Sequence, residues 1–155
     1  MLLLNYLSAP IPEPSTGEPW GSEPHVDAGM QAAARAWLES AEPLRLGLRA
    51  GALMDRVRWF GRLLSLCAPA DRERWLADQV AAGQRHPLAA SPLHEELDPK
   101  LFDVRLPAEA RLKLQALWLA IIAPGAVCLD AERRERESNQ ARDLMRGWLQ
   151  GSGAA

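Results

Sequence analysis

Lysine and histidine are scarce in this sequence, and this scarcity argues against some classes of protein function. Lys100 and Lys113 are the only lysines, the other sixteen basic residues are arginines, and the net charge is −2. Nucleic-acid-binding domains usually have a basic balance or a clustered basic face. The charge balance therefore argues against nucleic acid as a partner, and the richness in arginine, alanine and leucine suggests a bacterial source.

Cysteine is nearly absent, since Cys67 and Cys128 are its only two examples. Two cysteines are too few for the disulfide framework of a small secreted protein. Both lie among apolar residues, where a free cysteine behaves as a small hydrophobic side chain. We expect two buried, reduced thiols, and the alternatives are a disulfide or a reactive site.

Long apolar runs are missing as well. The N-terminal MLLLNYLSAP has no positive region and is interrupted by Asn5, so it does not resemble a signal peptide. The most apolar stretch, Leu114–Leu129, spans sixteen residues and contains Gln115, Pro124 and Gly125. A membrane-spanning helix needs about 20 apolar residues. The sequence therefore predicts no membrane span and a cytoplasmic location.

Catalytic and cofactor motifs are not found. There is no Gly-x-Ser-x-Gly elbow and no phosphate-binding glycine loop. The histidines are His25, His86 and His94, of which the last two, with Glu95 and Glu96, could form a metal-binding corner; a solvated polar corner is the favoured interpretation. We expect no cofactor, no metal and no enzymatic activity.

What the sequence does contain is typical of one globular domain. Its 155 residues are 48% hydrophobic and 25% charged. A chain of this length buries enough surface to fold without disulfides or metals. We divide it into an N-terminal peptide and linker (1–25), a single helical domain (26–150) and a flexible tail (151–155).

The spacing of apolar residues predicts an all-α fold, an irregular bundle of five to six helices. Proline, glycine and capping residues set the expected first and last residues of each helix. The predicted helices cover residues 27–42, 43–68, 71–82, 91–97, 107–123 and 130–150. In the second helix, Arg45, Arg49, Arg56 and Arg62 are expected on the outer sides. The fifth helix is apolar on nearly all sides and is therefore expected at the centre.

Residues 8–25 contain five prolines and should be extended and mobile, because proline removes a backbone donor and restricts its neighbour. They join the apolar peptide Met1–Leu7 to the domain. This arm either folds back onto its own domain, docks on another protein or is disordered.

Residues 100–106 alternate between apolar and polar side chains, with Phe102, Val104 and Leu106 on one side. Alternation is typical of a strand. Because the chain offers no partner strand, we interpret the segment as an extended linker. Pairing of this strand across a homodimer is the alternative.

The first half of the last helix is almost wholly polar, and only its second half is expected to pack on the domain. Arginines in this helix could form a nucleic-acid face, but the acidic residues between them would repel phosphates. The arginines concerned are Arg133, Arg134, Arg136, Arg142 and Arg146.

Aromatic residues give the strongest indication of a partner. The sequence has six tryptophans. Trp59 and its neighbour Phe60 diverge by about 100° around the helix, so we expect one of them to reach the surface, and tryptophan is enriched at interfaces. Trp20 lies in the proline-rich segment. The candidate partner-binding residues are Leu2, Leu3, Leu4, Tyr6, Leu7, Trp20 and Trp59.

These observations predict a non-enzymatic protein-interaction module. It would act as a bacterial cytoplasmic adaptor, a chaperone or a peripheral subunit of a larger assembly, for example a secretion apparatus. Its expected partner is another protein, and a homo-oligomer is compatible with the sequence. The alternatives are a small nucleic-acid-binding regulator and an enzyme with an unrecognised site.

Overall fold

A computed structural model describes residues 6–7, 28–40, 51–83, 92–121 and 131–151. Over these residues the chain forms helices and no β-strand, which confirms the all-α prediction. A 3₁₀ turn at Asp98–Lys100 directly follows α4. The helices are α1 (Ala28–Leu38), α2 (Leu53–Leu66), α3 (Pro69–Gly83), α4 (Pro92–Leu97), α5 (Ala108–Ile121) and α6 (Ala131–Gly151).

Helix α5 is the centre of the described structure. Every residue from Leu114 to Ile121 is buried, including the polar Gln115. The helix packs mainly against α2 on one side and against α6 on another. A helix that is apolar all round is stable only where neighbours cover it on every side. The expected central position of this helix is therefore confirmed for its described part.

Aromatic rings join α1 to α2. Trp37 stacks on Trp59 with their ring centroids 6.1 Å apart, and Trp59 meets Phe60 edge to face at 5.4 Å. Both geometries are favourable for aromatic pairs. Trp59 is 2% exposed and Phe60 is fully buried. The expectation that one of them would reach the surface is wrong, because α2 is covered by α1 as well as by α5.

Gly51 sets the start of α2. Its φ of +117° lies in the region that glycine adopts easily and other residues avoid, and the helix begins two residues later at Leu53. The predicted helix across 43–68 is therefore wrong at Gly51, whereas residues 41–50 lie outside the described part of the chain. Helix α2 ends at Leu66, close to the predicted limit, and Pro69 begins α3.

Residues 98–106 form successive turns, and the extended linker predicted for 100–106 is wrong. The amide of Leu101 donates to the Asp98 carbonyl, and the amide of Leu106 donates to the Asp103 carbonyl. The Asp103 carboxylate accepts from the amide of Arg105, which closes a local turn typical of aspartate. Leu101 and Leu106 are buried while Val104 is 83% exposed, so the alternation does not follow burial.

Candidate functional site

The N-terminal peptide contacts the domain at a defined place. Tyr6 and Leu7 are 5% and 0% exposed and belong to the hydrophobic core cluster. Nη1 of Arg62, on α2, donates a hydrogen bond of 2.7 Å to the Tyr6 carbonyl. The Arg62 guanidinium carbon also lies 5.4 Å from the centre of the Tyr6 ring. We call Arg62 and the apolar surface that covers these two residues the arm seat.

Two kinds of interaction hold the peptide in the arm seat. The hydrogen bond from a guanidinium is charge-assisted and stronger than a neutral one. The same cation is attracted by the electron-rich face of the tyrosine ring. The carbonyl contact would be made with any residue, whereas the ring contact requires an aromatic side chain. The arm seat therefore holds an aromatic residue, Tyr6, followed by the buried Leu7.

The burial of Arg62 differs from the sequence prediction. It was expected on the outer side of α2, but it is 2% exposed. A buried guanidinium is tolerated only when its donors are satisfied. Here the acceptor is a carbonyl 56 residues away in the sequence. No local pattern in α2 reveals such a partner, so sequence reasoning missed this residue.

A second buried arginine, Arg56, joins three helices. Its Nη2 and Nη1 donate to the Glu137 carboxylate of α6 at 2.6 and 3.2 Å. Its Nε donates to the Ala120 carbonyl of α5 at 2.9 Å, and Nη1 also donates to the Gly51 carbonyl at 3.0 Å. Arg56 was predicted to face outward, and the first half of α6 was predicted not to pack. Both expectations are wrong at these residues, because the two charges neutralise each other inside the core.

Two further polar contacts among the described residues hold the turns after α4 against α5. Nε2 of Gln115 donates to the Leu101 carbonyl at 2.9 Å. Nε1 of Trp118 donates to the Asp98 carboxylate at 3.0 Å. Both donors are thus used for internal structure, and they explain why the central apolar helix carries a glutamine.

Cys67, at the end of α2, is a free and buried thiol, as predicted. Burial, together with the negative charge of Asp71, raises the pKa of this thiol to about 11, although Arg72 acts in the opposite direction. Its Sγ lies 3.4 Å from the Leu63 carbonyl and donates to it. Only the thiolate is an efficient nucleophile, so Cys67 is poorly suited to covalent catalysis. Cys128 lies outside the described residues.

Charged side chains on α6 are partly engaged by α4. Glu96 accepts from Arg142 Nε at 3.0 Å and from Arg146 Nη2 at 3.3 Å. Burial acts to raise the pKa of Glu96, but the hydrogen bonds and charges of these two arginines lower it below its usual value. Arg133 also approaches Glu137, at 3.6 Å. These contacts reduce the positive charge that the hypothetical nucleic-acid face would offer.

An open groove of about 610 Å³ lies between α1 and α3. Arg35 and Arg74 both approach Asp71 there, at 3.7 and 3.0 Å. The walls carry charges of both signs, since the acidic Glu39, Asp71 and Asp78 line the groove together with the two arginines. The arrangement provides no concentrated field for a charged substrate.

The other sequence candidates have different outcomes. Trp59 lies in the core, so the aromatic surface expected there is absent. Leu2, Leu3, Leu4, Trp20, His25 and His86 lie outside the described residues, as does the side chain of His94. Among the described residues there is no group of three or more His, Cys, Asp or Glu side chains that could hold a metal ion. None of the helices in the described ranges is long and apolar enough to cross a membrane.

Comparisons with known proteins give no family. No protein-family model matches the chain, and neither a curated protein nor a solved structure is significantly similar to it. The arm seat is consequently the structural feature on which the proposed function rests.

Proposed function

We propose that this chain is a non-enzymatic protein-interaction module that binds a short apolar segment in the arm seat. The observation that supports the proposal is the burial of Tyr6 and Leu7 against helices of which the first, α1, is separated from Leu7 by twenty residues in the sequence. A surface that accepts a tethered peptide has the shape and chemistry to accept an untethered one. The segment recognised would carry an aromatic residue whose carbonyl accepts from Arg62, followed by leucine.

The use of buried polar groups in the described core favours binding over catalysis. Arg56, Gln115 and Trp118 hydrogen-bond to other parts of the chain, and the pKa of Cys67 is raised. Enzyme sites instead place such groups in a cavity where a substrate can reach them. An adaptor, chaperone or peripheral subunit of a bacterial cytoplasmic assembly is the kind of protein we propose.

Peptide binding to a truncated domain tests the proposal. The chain without residues 1–10 should bind a labelled peptide of sequence MLLLNYLSAP, with a Kd on the order of micromolar to millimolar, because burying one leucine is worth about 1.5–3 kcal/mol before ordering costs. A peptide with Leu7→Asp is the matched control and should not bind. Truncation should also lower the Tm and increase the binding of an apolar dye.

The intact chain provides a second measurement in case truncation unfolds the domain. An excess of the same peptide should displace the arm, which a fluorophore attached to the N-terminus would report as increased mobility. A folded truncated domain that fails to bind the peptide at 1 mM, on the order of the weakest affinity expected, would contradict the proposal.

A further inference from the structure

We propose that the arm seat accepts the arm of a second copy of this chain, so that two molecules exchange arms in a dimer. This inference rests on the proposed function and names the partner. The recognition chemistry is already present, because a second copy carries the same Tyr6 carbonyl, the same ring and the same Leu7 that the structure places in the arm seat. Exchange of an identical element between protomers needs no new contact surface.

The distance that the arm must cover within one chain is short. Ala28, the first residue of α1, lines a groove together with Ser65 and Ala68. Arg62 lies one helical turn before Ser65 on α2. The start of α1 is therefore within about two helix diameters, or roughly 20 Å, of the arm seat.

The tether between Leu7 and Ala28 is much longer than this distance. It comprises residues 8–27, which are twenty residues with five prolines. A segment of twenty residues can span at most roughly 70 Å. A folded chain of 155 residues has a radius of gyration of only about 15 Å. The tether thus has the length to reach the arm seat of a neighbouring molecule.

The length of the tether also weakens its competition for the arm seat of its own chain. The effective concentration of a tethered ligand is highest when the length of the tether matches the distance, and it falls as the tether becomes longer. This effect reduces the advantage of the intramolecular contact, although it does not abolish it. We therefore expect a concentration-dependent equilibrium between monomer and dimer.

Exchange would be reciprocal. Each protomer donates one arm and receives one, so both arm seats are filled and the assembly closes at two copies. The buried Arg62 keeps its carbonyl and aromatic contacts in either form. A closed dimer, rather than an open series of linked chains, is the expected product.

Sedimentation velocity of the full chain over about 1–500 μM, a range around the affinity expected for the arm, tests the inference. The dimer fraction should rise with concentration, and the chain without residues 1–10 should remain monomeric. Leu7→Asp should weaken dimerisation at least tenfold, whereas Val104→Asp, at an exposed turn, should leave it unchanged. A tagged truncated chain should also capture the full chain, which donates its arm.

An experiment without a destabilising variant uses a spin label on the N-terminus of one chain and isotope labelling of another. Exchange should broaden the signals of residues around Arg62 in the isotope-labelled chain. A truncated chain that dimerises as well as the full chain would overturn the inference. So would a full chain that stays monomeric at 500 μM and gives no intermolecular broadening; if the arm peptide still binds the truncated domain, the proposed function stands without the exchange. If the peptide also fails to bind, both are wrong.

Discussion

Arg56 of α2 and Glu137 of α6 form a bidentate ion pair inside the core, although they are 81 residues apart in the sequence. The Arg56 side chain is 2% exposed and that of Glu137 is 10% exposed. Because Arg56 also donates to the backbone of α5 at Ala120, this one side chain fixes the relative positions of three helices. It satisfies a carbonyl of the central helix α5 at the same time.

Removing one partner of this pair should destabilise the fold strongly. Glu137→Ala leaves the Arg56 charge in the core without its carboxylate, and such a change typically costs about 3–5 kcal/mol. Replacing both residues by apolar ones, Arg56→Met with Glu137→Leu, removes the charges together and should be much less harmful. Chemical denaturation of Arg56→Met, of Glu137→Leu and of the double variant measures the coupling between the two residues.

Glu135→Ala is the matched control on α6, since Glu135 is exposed. It should change the free energy of unfolding by less than about 0.5 kcal/mol. If Glu137→Ala were as mild as this control, the ion pair would not hold the helices together as described.

Two glycines should respond in opposite directions to substitution by alanine. Gly51 has a φ of +117°, and an added Cβ would lie 3.3 Å from Oδ2 of Asp55. Gly51→Ala should therefore destabilise the protein by about 1 kcal/mol or more. Gly147 lies within α6, and an added Cβ there meets nothing within 4 Å. Gly147→Ala should stabilise the protein by roughly 0.5–1 kcal/mol, because alanine is the better helix former.

Thermal unfolding of both glycine variants beside the parent chain measures this difference. An equal effect of the same sign at the two positions would contradict the conformation assigned to Gly51.

Cys67 should be slow to react in the native protein. Burial raises its pKa from 9.0 to about 11, so the thiolate fraction at pH 8 falls about a hundredfold relative to an unshifted thiol. Since the folded state favours the protonated form, this contribution to stability is present below about pH 9 and is lost as the pH rises towards 11. Iodoacetamide labelling with peptide mapping at Cys67, with and without denaturant, measures the protection. Fast labelling without denaturant would refute it.

Glu96 should make the contact between α4 and α6 dependent on pH. Its folded-state pKa is lowered, with the arginine contacts outweighing burial. The stabilisation is therefore present above the unfolded pKa of about 4.5 and is lost as the pH falls through the lower folded value. Because Arg142 and Arg146 are partly exposed, Glu96→Gln should cost only about 0.2–1 kcal/mol at pH 7.

The matched control is Glu95→Gln, because Glu95 is an exposed neighbour on the same helix. Denaturation curves at pH 7 and pH 3 should show a loss of stability for Glu96→Gln that is smaller at the lower pH. A loss that is the same at both pH values would show that the charge of Glu96 is not responsible.

The sequence was sufficient for the helices and for the central position of α5, because those features depend on local periodicity and apolar content. It failed for Arg56 and Arg62, which donate to acceptors as far as 81 and 56 residues away in the sequence. A charged residue on a helix is usually solvated, and only the tertiary fold supplies a buried carboxylate or carbonyl as its partner.

The prediction for the turns after α4 was wrong for a different reason. Phe102, Val104 and Leu106 alternate like a strand, but a strand needs a partner for its backbone groups. Instead, the Asp103 carboxylate accepts a hydrogen bond from the nearby amide of Arg105, and the Gln115 side chain donates a hydrogen bond to the Leu101 carbonyl. The arm was predicted in part, since its apolar content suggested contact with an apolar surface, and the structure shows Tyr6 and Leu7 buried in the hydrophobic core cluster.

The continuous burial of Leu114–Ile121 has a consequence for hydrogen exchange. No side of this part of α5 faces water, so its amides cannot be exposed by fraying of a single surface. They should exchange with solvent deuterium only through openings that also separate α2 and α6. By contrast, among residues 69–82 of α3 only Trp75 and Leu76 are buried, and this helix should exchange through smaller, more frequent openings. The slowest exchanging amides of the protein would then report its global free energy of unfolding directly.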